Sequence, residues 1–528
     1  MTSAPAYRPV AAVGLTVALL AYIGCSSSTS PQGGGPTRAA TTSTATPKAE
    51  PASDRSAAPK TFAGWPSPSA AILVSGEQLG YLEPCGCSEG QLGGLLRRSD
   101  LIEKLTEERH WPLVRVDLGS LIKDPNAARG GPEQTKLKLH ASLEALAALK
   151  YNALALSPED LKVGVDEAVG QFLNLPGEGL KVVAANVTVP GLEAKLARSV
   201  RVKAGAVSIG VTAVVDPERL KALKDPALDL LTIKTIEEAL PLVLADLEKD
   251  TTVQVLLVQG PPDSAKVLAA KYPGFEVVVA TATSPDPPRE AESVNGGKTL
   301  IVNVGQKGKY VGVVGVFDDK DQPLRYERVT LNNQYNGPAL ALKAIIEGQY
   351  RQNLKDQGVV ANFPRHEFVN GAQGATFVGA DSCKSCHPNT YTRWSLTKHA
   401  RAFASLEKDP KPNTIFDAEC VSCHTTGFEY NSGWKSAETT AFLKGNQCEN
   451  CHGPGSRHVE EPDGAEFRSL MHLTADLADK NRLCLHCHDE DNSPHFDFGK
   501  YYGQIAHKGL DDYKAPKVHQ GRPAPVGK

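Results

Sequence analysis

Between Ala70 and Leu331 the chain alternates short apolar runs with amphipathic stretches. The apolar runs are rich in Val, Ile, Leu and Ala and bounded by Gly, Pro, Asp or Asn, which reads as strand. Nine such strands are predicted: Ala71–Ser75, Leu113–Leu118, Ala153–Ser157, Val182–Val187, Val207–Val215, Val253–Val258, Glu276–Thr281, Leu300–Val304 and Tyr310–Phe317. Between them, Thr135–Leu149 and Ile236–Leu247 carry helical periodicity. Strand–helix alternation of this kind predicts an α/β layered domain. Pro338–Gln357 then reads as one long helix, with Leu340, Leu342, Ile345, Ile346, Tyr350 and Leu354 on its apolar stripe. Beyond Gly371-Ala372-Gln373-Gly374-Ala375, which reads as a hinge, the apolar pattern fades.

Cysteine takes over where hydrophobicity leaves off. Four copies of C-x-x-C-H follow: Cys383/Cys386/His387, Cys420/Cys423/His424, Cys448/Cys451/His452 and Cys484/Cys487/His488. This is the attachment signature of c-type haem. The two thiols add to the porphyrin vinyl groups, and the adjacent His is held under the iron. Zinc sites use paired cysteines too, but zinc has no need of a His after every pair; disulfide staples are the other alternative. Four covalently bound haem c groups are therefore expected. Little polypeptide core fits between four macrocycles in so short a stretch, so the haems should supply it and the apo form should be unfolded there.

Each iron needs a second axial ligand. Apart from the initiator the only Met is Met471, so histidine is the expected sixth ligand. His399 leads the candidates, followed by His458, His495 and His507, then His472; His486 and His519 read as solvated. Ligation by two histidines lacks the Met that raises haem potential, so low midpoint potentials are expected.

Composition adds an export story. Arg8 followed by the apolar run Val10–Ile23 reads as a signal peptide, too short to span a bilayer comfortably. It ends in Tyr22-Ile23-Gly24-Cys25, which resembles a bacterial lipobox with Tyr where Leu is usual, and so implies a lipidated Cys25. Simple cleavage to a soluble product is the alternative. Ser26–Pro68 is rich in Ser, Thr, Pro, Ala and Gly and reads as a tether. Of eleven cysteines, only Cys85 and Cys87 are then left without a role. That C-x-C pair could take a soft metal, form a strained disulfide, react with a redox partner, or simply occupy a Gly-rich turn. With 57 basic and 60 acidic residues and a net charge of −3, nothing points to nucleic acid.

Two resemblances sharpen this picture. Ile72 to Gly80, then Gly93-Gly94-Leu95-Leu96-Arg97-Arg98, Asp117-Leu118-Gly119-Ser120, Tyr151 to Lys162, Ala184 to Val187 and Gly305 to Tyr310 resemble, in order, the landmarks of 5′-nucleotidase-like metallophosphoesterases. That family's metal ligands fall here on Glu77, Leu79, Ser120, Pro158, Glu159, Gln259-Gly260 and Ala280–Ser284. A two-metal phosphoesterase needs carboxylates and imidazoles converging on both cations, so the resemblance implies a degenerate domain without hydrolysis. Trp394 with His399-Ala400-Arg401-Ala402, Cys423-His424-Thr425-Thr426-Gly427-Phe428 and Cys448-Glu449-Asn450-Cys451-His452-Gly453-Pro454-Gly455 resemble the multihaem cytochrome c-554 family. It implies electron transfer.

The expected organisation is a signal at 1–25, tether at 26–69, degenerate domain at 70–333, connecting helix and hinge at 334–375, tetrahaem domain at 376–509 and tail at 510–528. The expected fold class is an α/β layered metallophosphoesterase-like domain followed by a small, mostly α-helical, loop-rich tetrahaem domain. The expected function is that of an exported, lipid-anchored periplasmic electron-transfer protein serving redox partner proteins or quinol-linked donors. The alternative is an oxidoreductase acting on a small nitrogen or sulfur compound at an open haem.

Overall fold

All nine apolar runs form strands, and their continuous hydrophobicity has a structural cause. A strand buried on both faces has no polar side. In the first, Ala70–Ser75, every residue is buried: Ile72 and Val74 face one apolar layer, Ala71 and Leu73 another. A computed structural model describes residues 61–84, 91–369 and 371–511, which belong to one compact unit.

Two sheets stack through a shared layer. The first has seven strands, in the order Leu324–Thr330, Tyr310–Val316, Ala70–Ser75, Leu113–Asp117, Ala153–Ala155, Lys181–Val183 and Leu196–Ala197. The second has six, in the order Glu292–Val294, Thr299–Asn303, Val277–Ala280, Val253–Gln259, Val207–Val215 and Ser199–Ala204. Ile72, Val116 and Ala153 of the first meet Val211, Val255 and Val279 of the second in one buried cluster. Helices Ile236–Leu247 and Pro262–Lys271 cover the outer face of the second sheet. Gly131–Ala148 and its neighbours cover the first.

The strands absent from the sequence reading are short or lie at sheet edges. Leu324–Thr330 and Ser199–Ala204 close the two sheets and carry Arg, Glu and Lys. An edge is wet, so its sequence loses the apolar run that identifies a central strand. The predicted strand Val182–Val187 divides into Lys181–Val183 and Val187–Thr188. Asn186, in between, is buried and donates its amide to the carbonyls of Val215 and Lys234.

The long helix runs from Leu340 to Asp356, with a π segment over Ala344–Tyr350. The wider turn helps keep Ile346, Tyr350 and Leu354, spaced by four, in the core. Beyond it, no helix among the described residues exceeds eight residues. Phe377, Phe403, Phe428 and Trp434 nevertheless share one buried cluster with Leu137, Leu139 and Leu354. One hydrophobic core therefore runs from the first sheet's helices into the cysteine-rich part. No described helix is long and apolar enough to cross a membrane.

Candidate haem sites

The four motifs associate in two couples. In the first, Gln447 and Glu449, beside Cys448, organise the approach to Cys383. The Glu449 carboxylate is buried and accepts the backbone N–H groups of Val378, Gly379 and Gly455. Gln447 Oε1 accepts the N–H of Ala380 at 2.5 Å. Burial pushes the Glu449 carboxyl upward while those three donors hold it down. The thiols of Cys383 and Cys448 act on each other, which pushes Cys383 up and holds Cys448 down. The second couple joins Cys423 to Cys487 in the same way.

Cys386 stands apart from the other motif cysteines. It is exposed, whereas the other seven motif cysteines are half-buried. Its Sγ lies 3.8 Å from the Ser385 hydroxyl, the residue beside it. The reason is local. The turn Ala380–Cys383 is anchored inward by Gln447, but the chain then leaves the interior through exposed Lys384 and Ser385. The helix that follows, Pro388–Ser395, buries none of its residues. Cys386 thus joins neither couple, and a thioether formed on it would sit at the solvent edge of the first site.

Three motif histidines have one ring nitrogen already committed. His424 Nδ1 lies 2.7 Å from the carbonyl of Ala402, and His452 Nδ1 lies 2.6 Å from that of Met471. His488 Nδ1 lies 2.9 Å from Ser493 Oγ, and its ring stacks on Phe496 at 4.6 Å. A ligating His usually donates its other N–H in this way, which fixes the tautomer and frees Nε2 for the metal.

Three other histidines face motif histidines ring to ring. His458 faces His387 at a centroid separation of 6.4 Å, His399 faces His488 at 6.0 Å, and His507 faces His452 at 5.7 Å. With metal–imidazole bonds of about 2 Å, an ion held between two rings separates their centroids by about 6 Å. His458 Nδ1 is buried without a hydrogen-bond partner among the described residues, as a nitrogen reserved for a metal would be. Burial lowers the pKa of His399, His458 and His488, which favours the neutral form that binds metal. The residues fit covalent haem with two axial imidazoles at the first, third and fourth motifs.

The remaining candidates are placed differently. His495 is exposed, and among the described residues its ring faces no motif histidine. His472 adjoins Met471, whose carbonyl holds His452. No described ring faces His424 either. Cys25, Cys85, Cys87 and His519 lie outside the described residues.

The positions matching the phosphoesterase pattern sit at the carboxyl ends of strands in both sheets, with Gln259-Gly260 and Ala280–Ser284 at the ends of strands of the second. Glu77 and Ser120 both have left-handed backbone, with φ of 47° and 57°. Glu77 accepts the N–H of Ala282 at 2.6 Å, and burial reinforced by Glu159 pushes its carboxyl up to about 7. Glu159 is itself bound by both oxygens to Arg219, at 2.8 and 3.0 Å. Ser120 and Ser157 hydroxyls pair at 3.0 Å. Asp117, fully buried, takes the Ser75 hydroxyl at 2.5 Å and lies 3.5 Å from the Arg98 guanidinium. Two of these carboxylates thus already have a guanidinium where a metal site would have a cation.

Sequence reasoning missed the belt of charge that ties the sheets to the motifs. Arg129 pairs with Asp489 at 2.8 Å and Lys138 with Glu419 at 2.6 Å. Asp491 is clasped by Lys307 and the Tyr81 hydroxyl, and Gln91 donates to its carbonyl at 2.8 Å. Arg351 pairs with Glu83 at 2.7 Å and lies 3.9 Å from Asp417, the cap of the helix carrying the second motif. The sheet side supplies most of the cations and the cysteine-rich part most of the anions. Partners hundreds of positions apart leave no local signal.

Residues 382–453 match the family Cytochrome c554 and c-prime. That segment holds the first three motifs and brings covalent haem c with it. Cytochrome c-554 of Nitrosomonas europaea is 35% identical over 139 residues, covering 22% of this chain and 59% of the relative. The chain thus spans under two thirds of that relative's length. Solved structures similar in fold to the sheet-bearing part include a 5′-nucleotidase precursor from Thermus thermophilus (TM-score 0.44, 17% identity, covering 59% of this chain and 62% of that one). Another is the calcineurin-like phosphoesterase YfkN from Bacillus subtilis (TM-score 0.44, 18% identity, covering 54% and 97%).

Proposed function

We propose that this chain is an exported electron-transfer protein carrying four c-type haems, one on each C-x-x-C-H motif. The observation that carries this reading is the set of three facing imidazole pairs, each joining a motif histidine to a histidine from another part of the chain. When bound, haem supplies one-electron chemistry. The chain's own residues hold the imidazoles neutral, orient them through Ala402, Met471 and Ser493, and keep the motifs in two close couples. Sites this near one another favour passage of electrons between them. In this reading the protein is periplasmic, lipid-anchored through Cys25, and exchanges electrons with redox proteins or quinol-linked donors. The sheet-bearing part is not a hydrolase in this reading, because the family's ligand positions fall on Leu79, Ser120 and Pro158, which hold no metal, and Glu159 is already neutralised by Arg219.

A second reading is favoured by His424, the motif histidine that no described imidazole faces. An iron there would be open to a small nitrogen or sulfur compound. The ferric EPR spectrum of the holoprotein, with haem quantified as the pyridine haemochrome, tests both. Four haems, all low-spin, support a pure carrier; one high-spin centre per chain supports the second reading. Fewer than three bis-imidazole centres refutes the ligand assignment.

A further inference from the structure

We propose that Arg129, a residue of the sheet-bearing part, raises the reduction potential of the haems attached at the second and fourth motifs. This rests on the reading that those motifs carry haem. The Cys423 and Cys487 thiols perturb each other and both act on the Arg129 charge, so the attachment points of the two haems would share one junction. Arg129 enters that junction. Its Nη1 lies 2.6 Å from Cys423 Sγ, and its Nη2 donates at 2.8 Å to Asp489, the residue after His488.

The fold places Arg129 there with little freedom. It precedes Gly130 and Gly131 at the start of helix Gly131–Ala148. Gly131 has φ of 74°, and a Cβ on it would meet the Phe363 ring at 3.1 Å, so the turn that aims Arg129 depends on glycine.

The charge of Arg129 is permanent, because a guanidinium stays protonated. Its side chain is only 25% exposed, so water screens it weakly. Reduction adds one electron to a ferric haem and gives the ferrous form. The site gains a negative charge, and a fixed cation at its edge favours that product. Nearby Glu419 and Asp491 have their own lysines, Lys138 and Lys307, whereas Arg129 and Asp489 are opposed directly at the junction, with His486 also acting on Cys423.

The two members of the pair should therefore act in opposite directions. R129Q leaves Asp489 unopposed and lowers one or two of the four midpoint potentials. R129K keeps the charge and preserves them, and D489N raises them. The test is spectroelectrochemical titration of full-length holoprotein, with haem content measured on the same samples. The expected fall in R129Q is about tenfold in the reduction equilibrium, or 59 mV for a one-electron couple. Unmoved potentials at full haem content, or shifts of the same sign in R129Q and D489N, would overturn the proposal. Haem absent from the wild-type second and fourth motifs would instead overturn the reading beneath it. Should R129Q fail to take up haem, the rise in D489N still decides the question.

Discussion

Replacing Arg351 with Met should destabilise the haem-loaded protein by about 3 kcal/mol. Arg351 is only 6% exposed and serves two carboxylates, Glu83 at 2.7 Å and Asp417 at 3.9 Å. Met fills a similar volume, so most of the effect comes from leaving those carboxylates buried without their cation. Breaking a buried ion pair in this way costs about 3–5 kcal/mol. The lower end applies here, because Glu83 keeps Lys411 at 2.8 Å and Asp417 keeps the Gln134 amide at 2.8 Å. Arg351 holds down the Asp417 carboxyl, which burial already pushes up, so its loss also weakens the cap on the helix bearing Cys420 and Cys423. The assay is urea unfolding followed by Soret absorbance and far-ultraviolet circular dichroism together. Both probes should shift to lower urea, since Arg351 joins the sheets to the second motif. A loss under about 1 kcal/mol would refute the reasoning, that being the range of an exposed pair. A Soret shift with unchanged circular dichroism would refute it as well.

Three further outcomes are expected. Glu77 binds its proton up to about pH 7 in the folded chain but only to about 4.5 when unfolded, so its contribution to stability falls as pH rises between those values. E77Q removes that slope, and its advantage over wild type should grow by about 2 kcal/mol between pH 5 and pH 8, read by denaturant unfolding at each pH. His399→Ala should convert one low-spin ferric haem to high-spin in the EPR spectrum, whereas His495→Ala leaves the spectrum unchanged. Chain produced without haem attachment should be cut by protease within 376–511 while the sheets between 70 and 330 resist; equal resistance of both would show that haem is not the core of the cysteine-rich part.

What could be read from the sequence followed the range of each signal. Ala70–Ser75 and Val253–Gln259 are buried on both faces, so their identity is written in adjacent residues. The C-x-x-C-H motifs are equally local, but a motif says nothing of depth, and Cys386 lies at the surface where its seven counterparts do not. Leu324–Thr330 was illegible because its wet edge dilutes the apolar run. His399, His458 and His507 could be nominated as ligands by elimination, but their partners could not. His399 meets His488 across 89 positions, and nothing near either residue announces the other. His495 ranked with His458 by the same elimination and lies exposed, since type and count carry no direction. Arg129 and Asp489 went unnoticed because one arginine among 57 basic residues has no distinguishing spacing.

The three facing imidazole pairs have a consequence for how the chain is tied together. His458, after the third motif, reaches back to the first. His399, after the first, reaches forward to the fourth, and His507, after the fourth, returns to the third. With iron between each pair, the three links close a ring of dependence: first to fourth, fourth to third, third to first. Each acts as a staple across a loop of 55 to 89 residues, a span for which a covalent cross-link restricts the unfolded chain by about 4 kcal/mol. No member can be removed without opening the ring, so assembly should approach all-or-none. A chain lacking the haem of the first, third or fourth motif is then a loosened whole, which a cell's proteases can tell from the finished protein.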